Sequence, residues 1–326
     1  MPDDRDERLE CLIVGAGPAG LVAATYLARF RRRIAVVDAG ASRARWIPTS
    51  HNCPGFPLGV SGERLLERLR AQAAAFGVEV ESGRIERLER EGDGFLARAD
   101  DGRAWRARCV ILATGIVDRM PGTGGDVAPW EAAIDAGTLR ICAVCDAFEA
   151  SDERIAVYAP TDEAIRHAVF LRTFSRRVDA VRSDAVEATA DCAALARAAG
   201  IAVLPAPTAL ACTRDGCTMT FADGGTRAYD VVYPVLGDVP QSQLATALGA
   251  RGDAGGELLT DRQQQTSVDG LYAVGDVVSA LNQIAVAVGH AAIAATAVHN
   301  RLPRNFREDD AAPSPPAGAG ALPPAR

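Results

Sequence analysis

A glycine-rich turn near the amino terminus constrains the fold of this chain more than any other feature. The apolar run at residues 10–14 predicts a buried parallel strand, residues 21–30 have the apolar spacing of a helix, and residues 34–37 predict a second strand. The turn between the first strand and the helix reads Gly15, Ala16, Gly17, Pro18, Ala19, Gly20.

The three glycines of this turn have distinct roles in a dinucleotide-binding site. Gly15 makes the tight turn, Gly17 lets the backbone approach a pyrophosphate, and Gly20 lets the helix pack closely on the strand. The helix amino terminus supplies amide donors for phosphates. Asp38 ends the second strand, where a carboxylate can bind the ribose hydroxyls of an adenosine. We therefore predict dinucleotide binding.

The same order of elements recurs along the chain. Residues 84–115 predict three short strands separated by turns, residues 154–171 predict a strand, a turn and a helix, and residues 217–237 predict a hairpin that leads into another apolar strand. We predict an α/β fold of two Rossmann-like three-layer domains, each with a β-meander. The smaller domain is inserted in the larger one, with joints near residues 117–125 and 236–243.

Composition excludes several classes of function. The formal net charge of -7 and the pI near 5.3 argue against a nucleic-acid partner or an anionic membrane surface. The chain contains no lysine, which excludes Schiff-base and P-loop chemistry. The acidic amino-terminal segment has no basic and apolar signal pattern, so we expect a cytoplasmic protein.

Cys142 and Cys145 form a C-x-x-C pair that Asp146 follows directly. In a reducing cytosol such a pair is more often redox-active or metal-binding than structural. Zinc needs four ligands, and the chain has no second C-x-x-C motif; Cys212 and Cys217 are spaced by four residues in the predicted hairpin. We therefore predict a redox-active dithiol and no metal site.

Near the carboxyl terminus the sequence predicts a return to the first domain. Residues 271–274 predict a strand that ends at Gly275 and Asp276, and residues 283–300 predict an alanine-rich helix. An acid at such a strand end is placed to hydrogen-bond the ribityl chain of a flavin. The amino terminus of the following helix could face the flavin edge where negative charge accumulates on reduction.

Five motifs in this order resemble the low-molecular-weight thioredoxin reductases: GAGPAG, NCPGFP (residues 52–57), ILATG, CAVCD and GLYAVGD. The resemblance implies an FAD-binding domain at residues 1–118 and 239–305, and an inserted NADPH-type domain at residues 119–238 that carries the C-x-x-C pair. It also implies a homodimer. Residues 306–326 have too little apolar content to pack and predict a disordered tail.

The resemblance also assigns roles to single residues. Cys145 would exchange electrons with FAD, Cys142 would form the mixed disulfide with a partner, and Asp146 would give and take the proton. The FAD contacts that it implies are Gly15, Ala16, Gly17, Pro18, Ala19, Gly20, Asp38, Asn52, Gly275, Asp276, Gln283, Ile284 and Ala285. The last three occupy the place of the family's Arg-Gln-Ala, so the family's arginine is lost.

The inserted domain departs from the family at its nucleotide-binding turn. Three glycines and an asparagine of the family correspond here to Ala159, Pro160, Thr161 and Asp162. Side chains crowd the backbone there, Pro160 lacks an amide donor, and Asp162 adds negative charge near a phosphate. The basic cluster for a 2'-phosphate is replaced by residues 182–186, RSDAV. We therefore expect that NADPH is not used in the family's manner.

Three functions remain open at this point. The first is a reductase of thioredoxin-like partners that takes electrons from ferredoxin or another flavin donor. The second is a dithiol oxidase, which accepts electrons from a small dithiol and passes them through FAD to oxygen. The third is a non-enzymatic flavin-binding redox sensor.

The remaining cysteines and histidines have weaker signals. Cys11 and Cys109 lie in apolar strands, where a free cysteine packs as a small hydrophobe. Cys53 and His51 lie in a loop expected near the flavin; we favour a structural role for Cys53 and a packing or hydrogen-bonding role for His51 over a proton shuttle. His167 and His290 are not assigned a catalytic role.

Overall fold

The computed structural model of this chain describes residues 8–278 and 281–306. The strands within this range are β1 (Leu9–Val14), β2 (Ile34–Asp38), β3 (Val80–Ser82), β4 (Ile85–Glu91), β5 (Gly94–Ala99), β6 (Ala104–Leu112), β7 (Ile116–Asp118), β8 (Arg154–Ala159), β9 (Arg177–Arg182), β10 (Ala202–Leu204), β11 (Ala209–Thr213), β12 (Gly216–Thr220), β13 (Thr226–Tyr229), β14 (Val231–Pro234), β15 (Asp238–Pro240) and β16 (Leu271–Ala273). The tail predicted at residues 306–326 lies outside the described residues from residue 307 onward.

The helices follow the same order along the chain. They are α1 (Pro18–Arg29), α2 (Gly62–Ala74), α3 (Glu131–Asp135), α4 (Ala143–Asp146), α5 (Thr161–Leu171), α6 (Ala190–Ala199), α7 (Gln243–Thr246) and α8 (Ile284–Arg301). Short 3-10 helices add Arg43–Trp46, Ala128–Trp130, Phe148–Ala150 and Gly275–Val277. No helix among the described residues is both long and apolar enough to cross a bilayer.

The chain divides into two compact units. The first unit contains the residues up to Arg45, Glu63–Ile116 and the residues from Pro240 onward. The second unit contains Trp46–Gly62 and Val117–Val239. Each has its own parallel sheet and helices, which confirms the predicted α/β fold class. Residues 46–62, which include the NCPGFP motif, belong to the second unit.

The sheet of the first unit has the order β3-β2-β1-β6-β5-β4, with β16 also paired to β6. Strands β2, β1, β6 and β16 run parallel, whereas β4, β5 and the first half of β6 form an antiparallel meander. The buried core of this sheet includes Leu12, Leu112, Phe95 and Leu271. Because the parallel strands point the same way, their carboxyl ends meet at one edge of the sheet.

The second unit has three layers. Its central sheet is parallel, in the order β10-β9-β8-β14. Helices α5 and α6 bury Ile165, Leu171 and Ala196 in one hydrophobic cluster. The antiparallel sheet β11-β12-β13 and helix α3 contribute to a second cluster, which includes Met219 and Ile134. The hairpin predicted within residues 217–237 is β12–β13. Together with β11 it forms a layer of its own.

Candidate functional site

The glycine-rich turn joins β1 to α1 in the first unit. Gly15 has a φ of 103°, and a Cβ added there would overlap the carbonyl group of Ala113. A Cβ at Gly20 would overlap the carbonyl group of Gly15. A side chain at either position would therefore force the turn away from the sheet. The glycines therefore keep the start of α1 close to the end of β1, where its backbone amides can face a pyrophosphate.

Asp38 lies beside this turn at the end of β2. Its Oδ1 accepts a hydrogen bond of 2.9 Å from the amide of Ala16, and its Oδ2 accepts one of 3.1 Å from the amide of Gly40. The guanidinium of Arg70 on α2 lies 3.7 Å from Oδ2. These contacts fix the carboxylate at the edge of the sheet, next to the turn. The turn and the acid together fit the adenosine half of FAD.

The end of β16 joins this arrangement in the first unit. Gly275 has a φ of 75°, and its missing side chain lets the backbone pack against Ala19 of α1. Asp276 follows, and its carboxylate lies 3.9 Å from the guanidinium of Arg43. Gln283 is the N-cap residue of α8, so Ile284 and Ala285 form the first turn of that helix.

The structure therefore groups most of the predicted FAD residues in the first unit. Asn52 is the exception, since it lies in the second unit, where its Oδ1 accepts a hydrogen bond of 2.9 Å from the Ser50 hydroxyl. Arg43 was not singled out from the sequence. Its place in a short 3-10 helix after β2 gives no periodic signal, and its proximity to Asp276 depends on the tertiary fold.

Cys142 and Cys145 are joined by a disulfide in the second unit, with their Cα atoms 5.3 Å apart. Cys142 is the N-cap residue of α4, and the amide of Cys145 donates a hydrogen bond of 3.0 Å to the carbonyl oxygen of Cys142. Both cysteines are half-buried. The side chains of Val144 and Phe148 beside them are exposed. The disulfide therefore lies in a segment of the chain that also exposes two apolar side chains.

Asp146 closes the C-x-x-C-D motif within a polar cluster. Its Oδ1 accepts a hydrogen bond of 2.8 Å from the Tyr233 hydroxyl, and the Arg140 guanidinium donates one of 2.7 Å to the Asp146 carbonyl oxygen. Burial raises the pKa of Asp146 to about 6, although Arg140 and the Tyr233 hydrogen bond act in the opposite direction. A carboxyl group with this pKa can both give and take a proton near neutral pH.

Sequence reasoning missed Tyr233 and Arg140. Tyr233 lies on β14, which pairs with β8, and is separated from Asp146 by 87 residues. A tyrosine within an apolar parallel strand was the available signal, since a buried hydroxyl needs a hydrogen-bond partner. Burial raises the pKa of Tyr233, and the neighbouring Asp146 charge adds to the effect. Tyr233 is therefore a hydrogen-bond donor at neutral pH.

The imidazole of His51 contacts a carboxyl group within the second unit. Its Nδ1 lies 2.9 Å from Oε1 of Glu149, three residues beyond Asp146. This contact fixes part of the NCPGFP loop beside the segment that carries the dithiol. Cys53 is buried in the same loop, and burial raises the pKa of its thiol, so it is not a ready nucleophile.

The other weakly signalled residues lie in ordinary structural settings. Cys11 and Cys109 are buried on adjacent strands, where they are register partners. His167 lies on α5 with its Nδ1 3.0 Å from the carbonyl oxygen of Glu163. Burial lowers the pKa of His290 on α8. Among the described residues, no group of three or more His, Cys, Asp or Glu side chains could hold a metal ion.

The turn after β8 in the second unit is filled by its own side chains. The Thr161 hydroxyl lies 2.8 Å from Oδ1 of Asp184 and 2.6 Å from the carbonyl oxygen of Val186. The Asp162 carboxylate accepts hydrogen bonds of 3.0 and 2.8 Å from the amide and the hydroxyl of Thr189. These bonds connect the start of α5 to the loop after β9 and place two carboxylates there.

The single arginine of the RSDAV segment also has a partner. The guanidinium of Arg182 lies 2.9 Å from Oε1 of Glu187. Since Glu187 is strongly exposed, this ion pair is weak on its own. Residues 183–189, which the structure describes in full, contain no further arginine or lysine that could form a cluster for a 2'-phosphate.

Comparison with known proteins gives a consistent result. Residues 9–291 match the family described as pyridine nucleotide-disulphide oxidoreductase. The thioredoxin reductase of Mycolicibacterium smegmatis is 30% identical over 82% of this chain and 88% of its own length. The thioredoxin reductase of Peptoclostridium acidaminophilum is 28% identical over 91% of this chain and 98% of its own length.

Two solved structures are also similar to this chain in sequence and fold. The crystal structure of HlmI is 32% identical, with a TM-score of 0.81 over 90% of this chain and 92% of that chain. The thioredoxin reductase from Streptococcus pyogenes MGAS5005 is 27% identical, with a TM-score of 0.81 over 90% of this chain and 98% of that chain.

Proposed function

Because this chain belongs to the pyridine nucleotide-disulphide oxidoreductases, as a thioredoxin reductase-like member, we propose that it moves electrons between FAD and the Cys142/Cys145 pair without the usual NADPH site. The chain is thus an oxidoreductase acting on sulfur groups, and its cofactor is FAD.

FAD would be held by the glycine-rich turn and Asp38, together with Gly275, Asp276, Gln283, Ile284 and Ala285. When bound, FAD supplies two-electron chemistry that a protein side chain cannot supply alone. The protein contributes the amides at the start of α1 for the pyrophosphate and the Asp38 carboxylate for the ribose. Arg43, which lies near Asp276, brings a positive charge to the first unit where the family's arginine is missing.

The dithiol would carry electrons between the flavin and the substrate. Thiol-disulfide exchange needs a thiolate that attacks a disulfide sulfur, so a proton must leave one thiol and return to another. Asp146, with its pKa of about 6, would serve as that proton donor and acceptor. Cys145 would exchange electrons with FAD, and Cys142 would form the mixed disulfide with the substrate.

The proposal that NADPH is not used in the family's manner rests on the turn after β8, whose side chains are hydrogen-bonded to the loop after β9. A nucleotide pyrophosphate would have to displace the hydrogen bonds of Thr161 and Asp162 and to approach the carboxylates of Asp162 and Asp184. Pro160 offers no amide at this turn. Repulsion between these carboxylates and a phosphate opposes binding at the position where a helix dipole normally favours it.

The partner would be a thioredoxin-like protein or a small dithiol or disulfide. Thioredoxin is the partner that the names of the relatives indicate. The exposed side chains of Val144 and Phe148 offer an apolar surface beside the cysteines that either kind of partner could contact. Reduced ferredoxin is the alternative electron donor for this direction, and the assembly would be a homodimer, as the resemblance implies.

The same filled turn favours a second candidate function, an oxygen-dependent dithiol oxidase. If NADPH does not deliver electrons, electrons can enter the protein through the Cys142/Cys145 pair. A small dithiol would reduce the Cys142/Cys145 disulfide, and oxygen would take the two electrons from the flavin. The product would be a disulfide in the small molecule together with hydrogen peroxide, which balances electrons and protons.

An anaerobic titration of the FAD-loaded protein tests the proposal. Flavin absorbance is followed during separate additions of NADPH, NADH, a small dithiol and reduced ferredoxin. We expect dithiol or ferredoxin to bleach the flavin and NADPH at micromolar concentration to leave it oxidised. Rapid full bleaching by micromolar NADPH would overturn the proposal. Admission of air after dithiol then separates the two directions by rate, because the oxidase releases hydrogen peroxide in rapid repeated turnovers, whereas a reductase is reoxidised only slowly.

A further inference from the structure

We propose that Cys212 and Cys217 form a second site of thiol-disulfide exchange, attacked at Cys212 by a small dithiol, whose reduction changes the contact of the β11–β12 hairpin with Thr138 in the segment before Cys142. The two sulfurs are joined in the structure. The motif pattern gave no sign of this bond, because the two residues do not form a C-x-x-C motif. The proposal does not depend on the flavin or on the proposed function.

The hairpin brings the two cysteines together directly. Strands β11 and β12 are joined by the two residues Arg214 and Asp215, and Cys212 is the register partner of Cys217. Their Cα atoms are 4.1 Å apart. In an antiparallel ladder the close spacing belongs to the pairs without hydrogen bonds, whose side chains approach each other most closely. The pairing is therefore dictated by the register of a local hairpin.

The two sulfurs differ in access. Cys217 is 2% exposed and belongs to the cluster that includes Met219 and Val232. Cys212 is only half-buried, although it packs against the same cluster, so it is the more exposed of the two. An incoming thiolate can therefore reach the sulfur of Cys212, and attack there expels Cys217 as the leaving group. The direction of the exchange is set by burial.

A hydrogen-bond acceptor lies close to the sulfur of Cys217, which is the leaving group. The Sγ atom of Cys217 lies 3.4 Å from the carbonyl oxygen of Thr138. A disulfide sulfur has no hydrogen to donate, whereas a thiol does. Reduction therefore creates a hydrogen bond that the oxidised pair cannot make, and this bond compensates in part for burying the new S–H group.

The exchange balances as two successive steps. The first thiolate of the dithiol attacks Cys212, forms a mixed disulfide and releases Cys217, which takes a proton. The second thiolate of the same dithiol attacks its own bound sulfur, closes a cyclic disulfide and releases Cys212, which takes another proton. The dithiol loses two electrons and the cysteine pair gains them.

Thr138 connects this hairpin to the redox-active segment. Its hydroxyl donates a hydrogen bond of 2.6 Å to the carbonyl oxygen of Thr213 on β11, while its carbonyl oxygen faces Cys217 on β12. Thr138 thus contacts both strands that the disulfide joins. Two residues later, the side chain of Arg140 hydrogen-bonds the carbonyl oxygen of Asp146. Reduction replaces the covalent link between the two strands by a thiol hydrogen bond from Cys217 to Thr138, so the contact of the hairpin with residues 137–141 changes.

Differential alkylation of the FAD-loaded full chain tests this site. The protein carries Cys142→Ser and Cys145→Ser, so that the first redox pair is silent. Native protein is treated with increasing dithiothreitol and labelled with a light maleimide; it is then unfolded, reduced and labelled with a heavy one. Peptide mass spectrometry reads the two labels at each cysteine. A Cys192→Ser protein is the matched control, because Cys192 is a buried free cysteine of the same unit.

We expect residues 212 and 217 to carry the heavy label without dithiol and the light label after it, as a pair. A monothiol should give a mixed disulfide at residue 212 alone. Hydrogen exchange in the hairpin and in residues 137–141 should differ between the oxidised and the reduced protein. Light labelling of both cysteines before any reductant, resistance to excess dithiol in the native protein, or unchanged hydrogen exchange would each overturn the proposal. Because no readout involves flavin, failure here leaves the proposed function untouched.

Discussion

The Tyr233 hydroxyl donates a hydrogen bond of 2.8 Å to the carboxylate of Asp146, the residue that directly follows the C-x-x-C pair in the sequence. The hydrogen bond favours the charged form of Asp146, while burial favours the neutral form. The balance leaves a pKa of about 6, close to neutral pH. Tyr233 therefore acts on the proton chemistry through Asp146 and is a positioning residue.

Replacement of Tyr233 by phenylalanine should raise the pKa of Asp146 further. A hydrogen bond to a charged group contributes about 1.5–3 kcal/mol, which corresponds to an upward shift of about one pKa unit or more. We expect the limb of the pH profile that reports Asp146 to move up by about one unit. Stopped-flow reduction of the flavin by a small dithiol, measured from pH 5 to 9, detects this shift.

Tyr229→Phe is the matched control for this experiment. Tyr229 is also buried in the second unit, and its hydroxyl donates to a different carboxylate, that of Asp179, at 2.9 Å. Its loss should leave the pH profile of flavin reduction unchanged. Equal shifts in both variants would mean that the effect is a general loss of stability, and an unchanged profile in Tyr233→Phe would remove Tyr233 from the proton chemistry.

Asp146→Asn should stabilise the oxidised protein at neutral pH. The pKa of Asp146 is about 6 in the folded protein, against an ordinary value of 3.8 in the unfolded chain, so folding is opposed once the carboxyl group must ionise. This cost is absent below pH 4 and is fully present above pH 6. Because the side chain is partly exposed, we expect a gain of about 1–3 kcal/mol at pH 7.5 and almost none at pH 4.

Asp162→Asn should change the stability of the folded protein in the opposite direction, so this variant should be less stable than the parent at neutral pH. Hydrogen bonds from the amide and the hydroxyl of Thr189 lower the pKa of Asp162, so its charged form stabilises the folded chain above its unfolded pKa and this contribution is lost as the pH falls. Urea unfolding at pH 4 and pH 7.5 compares the two variants with the parent. A destabilised Asp146→Asn protein at pH 7.5 would contradict the assigned cost of burying this charge.

Gly20→Ala should abolish FAD retention. A Cβ at this position overlaps the carbonyl group of Gly15, so the turn must move away from the place where the pyrophosphate binds. Gly200→Ala is the control, because Gly200 caps α6 in the left-handed conformation and no atom lies close to an added Cβ. It should cost about 1 kcal/mol of stability and keep the flavin. The flavin-to-protein absorbance ratio after gel filtration measures both; a yellow Gly20→Ala protein would refute the placement of FAD at this turn.

Local signals carried most of the prediction of the fold. The turn from Gly15 to Gly20 specifies β1, α1 and their packing through residues within one short segment, and the helix predicted at residues 283–300 is α8, Ile284–Arg301. The last apolar run of the segment 84–115, which predicts three short strands, is the end of a longer strand, β6, whose first half is polar and pairs with β5. Alternation on a half-exposed strand is a weaker signal than a continuous apolar run.

The missing parts of the candidate site depend on contacts between distant residues. Tyr233 reaches Asp146 because β14 and β8 are neighbours in a parallel sheet, and Thr161 reaches Asp184 because β8 and β9 are neighbours. Neither pair follows from spacing along the chain. The Cys212–Cys217 bond is local, but it requires the register of the hairpin, which a pair of residue types does not specify.

The exchange of electrons between FAD and the Cys142/Cys145 pair is tested most directly by one comparison. FAD-loaded parent and Cys145→Ser proteins are titrated anaerobically with a small dithiol while flavin absorbance is recorded, with Cys53→Ser as a control for a buried cysteine outside the pair. We predict that the parent and the control bleach fully and that Cys145→Ser stays oxidised. A Cys145→Ser protein that bleaches as fast as the parent, or a parent that does not bleach, would contradict the account.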